Sequence, residues 1–197
     1  MKEIKAHNYK EIYERLGYNL SKLGCLMLDT EPIKTNFIIG MSDGAGLIVP
    51  GFPEYRAKNK ERFWIDGYVA DKTPHITLFY GFLQEAGCFK WHIEKLLEGT
   101  DITKIEIEDV DYFESPYEDE EYYCIVAKVK KTPELLEAHN KMKFLPNIHT
   151  FPEYKPHITI AYIIKNEAIR DDFISHMKKE ILGKELKVLG LNYGGNK

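Results

Sequence analysis

Two segments of the chain carry the same chemically reactive residues at the same spacing. Residues 74–80 read Pro-His-Ile-Thr-Leu-Phe-Tyr, and residues 156–162 read Pro-His-Ile-Thr-Ile-Ala-Tyr. Two identical PHIT tetrapeptides, each followed by an apolar residue and then by Tyr, arise rarely by chance in a chain of 197 residues. Self-similarity of this kind indicates a repeated structural unit.

Each copy is predicted to be a β-strand that presents an imidazole and a hydroxyl on one face. Side chains alternate between the two faces of a strand, so His75 shares a face with Thr77, and His157 shares one with Thr159. If the two halves pack around an approximate two-fold axis, the pairs face each other across a groove. One neutral imidazole can then take a proton from an attacking hydroxyl or water, while the other, protonated, gives one to the leaving oxygen. The threonine hydroxyls can donate hydrogen bonds to the non-bridging oxygens of a phosphodiester.

These two HΦTΦ motifs, where Φ is apolar, resemble the motifs of the 2H phosphoesterase superfamily. That family includes RNA 2′,3′-cyclic phosphodiesterases, historically called 2′-5′ RNA ligases, and related cyclic-nucleotide hydrolases. The resemblance implies a two-lobed α+β fold in which pseudo-two-fold duplicated strands line a central cleft. It also implies that the catalytic residues are His75, Thr77, His157 and Thr159.

A narrower resemblance links residues 26–29 and 74–82 to phage anti-CBASS phosphodiesterases. Those enzymes destroy the cyclic oligonucleotide second messengers of bacterial defence systems. The resemblance implies that the 2′-hydroxyl cleaves the adjacent 3′-5′ bond through a 2′,3′-cyclic phosphate. The stretch between residues 30 and 70 is longer here than in compact members of that group.

The surrounding pattern alternates strands with amphipathic helices, as an α+β fold requires. No composition break divides the chain, so residues 1–197 are predicted to form a single two-lobed domain. A long glycine- and proline-rich loop is predicted between residues 32 and 62. Helices are predicted at residues 9–20, 89–97, 133–142 and 169–181. Strands are predicted at residues 23–29, 73–82, 102–112, 122–129, 157–164 and 186–191.

Composition narrows the range of partners. The net charge is −4, whereas proteins that grip long nucleic acids usually show a basic footprint. A small nucleotide substrate is therefore expected rather than a long nucleic acid or a membrane, and the oligomeric state is left open. The three cysteines form no CxxC pair, so they are predicted to be buried thiols in a reducing compartment. Together with the charged N-terminus, this predicts a cytoplasmic location, which is the host cytoplasm if a phage encodes the chain.

Other residues near the motifs carry weaker signals. Tyr80 and Tyr162 lie five positions after the motif histidines, so strict alternation points them to the opposite face and predicts a structural role. Lys72 and Lys155 precede the motifs and either hold a phosphate or, more commonly for lysine, face solvent.

The remaining histidines show no metal-binding spacing. His92 is predicted to lie on the apolar side of its helix, and the chain contains neither HExxH nor HxH. No metal or other cofactor is expected, because the two motif imidazoles supply both proton transfers.

Three functions remain open on the sequence alone. The first is a phosphodiesterase that cleaves cyclic oligonucleotides. The second is an RNA-processing 2′,3′-cyclic phosphodiesterase. The third is a non-catalytic module that sequesters a nucleotide, although pure binding does not need two proton-transfer groups. The sequence does not assign the base and the acid between the two motif histidines.

Overall fold

The computed structural model describes residues 23–34, 47–48, 74–114, 122–148, 151 and 153–194, together with Arg15 and Gly17. Most of the predicted helix at residues 9–20 lies outside the described residues, as do most of the predicted loop at residues 32–62 and Lys72. Within the described part, no helix is both long and apolar enough to span a membrane.

The described strands are β1 (Gly24–Thr30), β2 (Ile33–Lys34), β3 (Leu47–Ile48), β4 (His75–Phe82), β5 (Lys104–Glu114), β6 (Tyr122–Val129), β7 (His157–Ile164) and β8 (Glu185–Asn192). Six of them form one antiparallel sheet in the order β4-β1-β8-β5-β6-β7, and the short strands β2 and β3 pair in parallel with each other.

The described part of the chain contains three α-helices, and local signals in the sequence mark several of their ends. The helices are α1 (Lys90–Leu96), which a 3₁₀ turn at Ala86–Phe89 precedes, α2 (Pro133–Met142) and α3 (Glu167–Ile181). Thr132 caps α2 by accepting a hydrogen bond from the Leu135 amide at 3.2 Å, with Pro133 in the first turn. Gly183, beyond the end of α3, adopts a φ of +74°, a left-handed conformation that glycine tolerates best.

The strand order of the sheet has two matching sides. β4, β1 and β8 on one side correspond to β7, β6 and β5 on the other, so the order is palindromic about the β8–β5 pair. The pairing registers match as well: Cys25 lies opposite Tyr80, and Cys124 lies opposite Tyr162. The predicted pseudo-two-fold α+β fold is therefore confirmed.

Both motif strands contain a β-bulge at the same place. Leu26 pairs with Phe79 but the next residue of β1, Met27, pairs with Thr77, so β1 offers no partner to Leu78. In β7 the register shifts in the same way and leaves Ile160 as the extra residue. A bulge inserts one residue and bends the strand, so side-chain alternation is reset beyond it.

The sheet curls so that its two outer strands approach each other. β4 and β7 lie at opposite edges of the sheet, yet their residues are in contact. Helix α2 packs on β4 and α3 packs on β5, which buries the apolar face of the sheet. Phe82 and Phe173 are fully buried in this core. The helices thus occupy one face, and the motif strands come together at the open edges.

Two predictions about individual side chains are wrong. Cys25 and Cys124 are half-buried but Cys88 is exposed, because it lies on the outer side of the 3₁₀ turn. His92 is exposed rather than packed, since the buried stripe of α1 runs through Ile93 and leaves its neighbour one residue earlier outside.

Candidate functional site

The two motifs present their predicted residues on matching faces. His75 and Thr77 are half-buried, and Ile76 between them is fully buried in the core. His157 and Thr159 show the same alternation around the buried Ile158. The period-two placement of all four side chains is therefore as the sequence predicts, and their catalytic role stays a prediction.

A cavity of about 620 Å³ lies between the motif strands. Thr77 of β4 and His157 of β7 both line it, while His75 and Thr159 are outside its lining. The two histidines are nevertheless close enough for charge on His75 to lower the pKa of His157. The curled sheet thus brings together one residue of each motif around the cavity and keeps the imidazoles within electrostatic reach.

The ring of His157 is held from two sides. Its Nδ1 lies 2.7 Å from the carbonyl oxygen of Lys155. Since a carbonyl can only accept, Nδ1 carries the proton, and the lone pair of the neutral ring lies on Nε2. Phe113 of β5 meets the ring edge-on, with centroids 4.9 Å apart and an interplanar angle of 82°. The imidazole therefore has a fixed tautomer and a fixed orientation.

The environment favours the neutral form of His157. Burial lowers its pKa below the ordinary 6.5, and the nearby His75 lowers it further, against the raising effect of the hydrogen bond to Lys155. Desolvation disfavours a charged imidazole, which accounts for the direction of the largest effect. His157 is thus a neutral proton acceptor near pH 7.

The cross-strand partners of the two histidines carry opposite charges. Asp29 lies opposite His75, and Lys128 lies opposite His157. Directly opposed residues in an antiparallel pair project from the same face of the sheet. Lys128 is itself paired with Asp111, which reduces its influence on the histidine. The register therefore places a carboxylate beside one motif imidazole and an ammonium group beside the other.

Strict alternation predicts that Tyr80 points away from the site, and this prediction is wrong. The bulge at Leu78 resets the face, so Tyr80 is 36% exposed and lines the cavity together with Thr77. Its ring lies 6.2 Å from that of Phe151, which is 66% exposed. The exposed rings of Tyr80 and Phe151 therefore form part of the cavity wall. The backbone of β7 has the same bulge before Tyr162.

Several of the residues around the cavity were not singled out from the sequence. Phe113 and Phe151 resemble ordinary aromatic residues in the sequence, and no local signal separates them from core positions. His139 lies on α2, far from either motif in the chain, whereas Tyr154 lies two residues before the second motif; both line the cavity. Only the tertiary structure brings His139 to the motifs.

Lys155 is exposed, and its Nζ lies 3.7 Å from Oε2 of Glu153. Both residues line the cavity, so the lysine is placed to meet an anion there, although its charge is shared with the carboxylate. No group of three or more His, Cys, Asp or Glu side chains with a metal-binding arrangement occurs in the part of the chain that the structure describes.

Comparison with known proteins agrees with this architecture. The family model of the 2′-5′ RNA ligase superfamily matches residues 52–192, which is most of the chain and includes both motifs. No curated protein matches the chain. The repeated motif strands, the palindromic sheet and the family match lead to one conclusion: the chain belongs to the 2′-5′ RNA ligase superfamily, the 2H phosphoesterases, and is a phosphoester-acting enzyme.

Proposed function

We propose that the protein is a phosphodiesterase that cleaves a small nucleotide by proton transfer between two histidines. The observation that carries the proposal is the state of His157, a neutral ring whose tautomer is fixed by Lys155 within electrostatic reach of His75. General acid–base catalysis needs one group in each protonation state at the working pH. The cavity between the motif strands supplies the space for the phosphodiester.

We assign the two roles from the surroundings of His157, which favour its neutral form. Nε2 of His157 takes the proton from the attacking 2′-hydroxyl, whose oxygen then bonds to phosphorus. The bond from phosphorus to the 5′ oxygen breaks, and His75 protonates that oxygen as it leaves. Asp29 lies opposite His75 in the strand pair, so a carboxylate and this imidazole project from the same face of the sheet. The products are a 2′,3′-cyclic phosphate and a free 5′-hydroxyl.

The neighbouring side chains support this chemistry. Thr77 lines the cavity, so its hydroxyl is placed to donate to a non-bridging phosphate oxygen, and Thr159 is its counterpart on β7. Tyr80 and Phe151 offer exposed rings for a nucleobase, which stacks on aromatic faces. Both proton transfers use imidazoles, so we expect activity without added metal or cofactor.

We propose a cyclic oligonucleotide second messenger as the substrate, as in anti-CBASS immune evasion. A cavity of about 620 Å³ falls within the size range of small-molecule sites. The net charge of −4 opposes binding of a long polyanion. A second candidate, the 2′,3′-cyclic phosphate of RNA processing, is favoured by the description of the matching family.

A hydrolysis screen in EDTA tests both candidates. Wild type, His75→Ala, His157→Ala and the control His92→Ala are offered cyclic di- and trinucleotides with 3′-5′ and 2′-5′ linkages, and a nucleoside 2′,3′-cyclic phosphate. His92 is an exposed histidine away from the cavity, so its variant should retain wild-type turnover. Each motif variant should lose about 10²- to 10⁴-fold in kcat, the usual contribution of a general acid or base.

The outcomes separate the hypotheses. Cleavage of a cyclic oligonucleotide by wild type and the His92 variant supports the leading proposal. Turnover confined to the 2′,3′-cyclic phosphate supports RNA processing instead. Tight binding by calorimetry without cleavage of any of these nucleotides contradicts the enzyme proposal for them and supports a sequestering module.

A further inference from the structure

His139 of α2 is hydrogen-bonded to the bulge of β4. Its Nδ1 lies 2.8 Å from the carbonyl oxygen of Leu78, the extra residue of the bulge. A carbonyl accepts only, so Nδ1 is the protonated nitrogen of this ring. The ring also lies against Phe79, with centroids 5.5 Å apart. A bulge leaves its extra residue outside the strand ladder, and here a side chain from a helix satisfies its carbonyl.

The same imidazole stacks on Tyr154 in the turn before β7. The ring centroids are 4.0 Å apart and the planes differ by 11°. The Tyr154 hydroxyl is buried and has no hydrogen-bond partner among the described residues. The Tyr154 side chain is therefore held in place mainly by the packing of its ring. Tyr154 directly precedes Lys155, whose carbonyl fixes the tautomer of His157. One histidine thus contacts both the bulge of one motif strand and the turn that orients the base of the other.

We propose that His139 is a positioning residue that ties the bulge of β4 to the turn before β7. This inference rests on the proposed phosphodiesterase function. Its hydrogen bond holds the bulge in the register that turns Tyr80 into the cavity. Its stacked face holds Tyr154, and through it the Lys155 carbonyl that presents Nε2 of His157 to the substrate. The two contacts therefore act on different steps, the first on substrate binding and the second on proton transfer.

Two substitutions separate the contacts. His139→Phe keeps a ring for Tyr154 but has no donor for Leu78, so KM should rise by roughly 3- to 10-fold with little change in kcat. His139→Asn keeps a donor near the position of Nδ1 but has no ring, so kcat should fall by roughly 3- to 10-fold with a smaller change in KM. These factors correspond to the loss of one ordinary hydrogen bond or packing contact. Steady-state kinetics well below each variant's Tm, with His92→Asn as the control, measures the split.

The results decide between positioning and plain packing. Opposite effects of the two variants on KM and kcat support the proposal. Unchanged kinetics in both, or equal losses in both that follow the decrease in Tm, overturn it. A double variant His139→Asn/Tyr154→Leu should lose no more than the worse single variant, because coupled residues are non-additive.

A readout independent of turnover distinguishes failure of this inference from failure of the proposed function. Nitrogen-15 NMR of wild type should show the Nδ1–H tautomer of His139, and finding the Nε2–H tautomer overturns the inference. His139→Phe should shift the amide signal of Tyr80, and His139→Asn should shift the ring signals of His157. If these hold while no nucleotide is cleaved, the positioning is supported and the phosphodiesterase proposal fails.

Discussion

At the scale of single residues, the two motif histidines are alike in sequence and different in surroundings. His157 is desolvated, donates from Nδ1 to a backbone carbonyl, and lies opposite Lys128. His75 lies opposite Asp29. The two copies of the motif therefore place chemically identical rings in different surroundings.

The lowered pKa of His157 predicts a specific pH dependence. The base must be neutral, so kcat/KM should stay high to a lower pH than a histidine of pKa 6.5 permits. NMR titration of the ring signal, assigned with His157→Asn, should give a midpoint below 6.5. A midpoint at or above 6.5 contradicts the burial argument.

The same shift predicts a stability effect with a definite sign. The unfolded chain protonates this histidine near pH 6.5, whereas the folded protein does so only at lower pH. The unfolded state therefore binds more protons, and stability falls as the pH drops below 6.5. In His157→Asn the decrease of Tm between pH 7 and pH 5 should be smaller than in wild type. An equal decrease in the two proteins contradicts this reasoning.

Tyr80 is predicted to bind substrate rather than to support the fold. Stacking of a base on an aromatic ring is worth about 1–3 kcal/mol, so Tyr80→Leu should raise KM by roughly 5- to 150-fold and leave kcat nearly unchanged. Tyr80→Phe retains the ring and should retain most of the affinity. Trp91→Leu removes another exposed aromatic, away from the cavity, and serves as the control. A wild-type KM in Tyr80→Leu contradicts the prediction.

At the scale of elements, the bulge of β4 puts Tyr80 on the face that carries Thr77. In the unbroken alternation of a regular strand, Thr77 and Phe79 would share a face; the extra residue Leu78 puts Tyr80 there instead. The equivalent bulge at Ile160 shows that the irregularity belongs to both copies of the motif strand. A local backbone feature therefore changes the chemistry of the cavity wall.

The start of β1 is fitted closely against the 3₁₀ turn. A Cβ on Gly24 would lie 2.1 Å from the carbonyl oxygen of Gln84 and 2.8 Å from the amide nitrogen of Ala86. Both contacts are with backbone, so Gly24→Ala should destabilise the protein by about 1–3 kcal/mol through overpacking. Gly87→Ala in the same turn is the matched control, since its Cβ meets nothing within 4 Å. Equal Tm values for the two variants in thermal unfolding contradict the prediction.

At the scale of the whole molecule, two similar halves form one site because the sheet curls. β4 and β7 are far apart in the strand order and meet only through this curvature. Neither half by itself contains both histidines. The two motif strands thus hold equivalent places in the palindromic strand order.

The overall charge predicts a weak dependence on salt. A substrate that engages about two phosphates should lose less than about tenfold in kcat/KM between 50 and 200 mM NaCl, whereas 6–10 phosphate contacts cost about 10³- to 10⁵-fold. The net charge of −4 also predicts weak competition by long single-stranded RNA. A loss of 10³-fold over that salt range, or strong inhibition by long RNA, contradicts the small-substrate proposal.

The sequence by itself determined the repeated motif strands, the period-two faces of His75, Thr77, His157 and Thr159, and most helix and strand positions. These features depend on the alternation of apolar and polar residues, on helical spacing and on capping residues such as Thr132, and short stretches of sequence show all three. Tyr80, Phe113, His139 and Tyr154 entered the cavity only through the tertiary structure. A bulge changes which side chains share a face of the strand, but the hydrophobic pattern of the sequence does not reveal it. The curling of a sheet brings together residues that are distant in the chain. The tertiary structure also decided how the surroundings of His75 and His157 differ. Cross-strand register gives each ring a different charged neighbour, and burial desolvates His157.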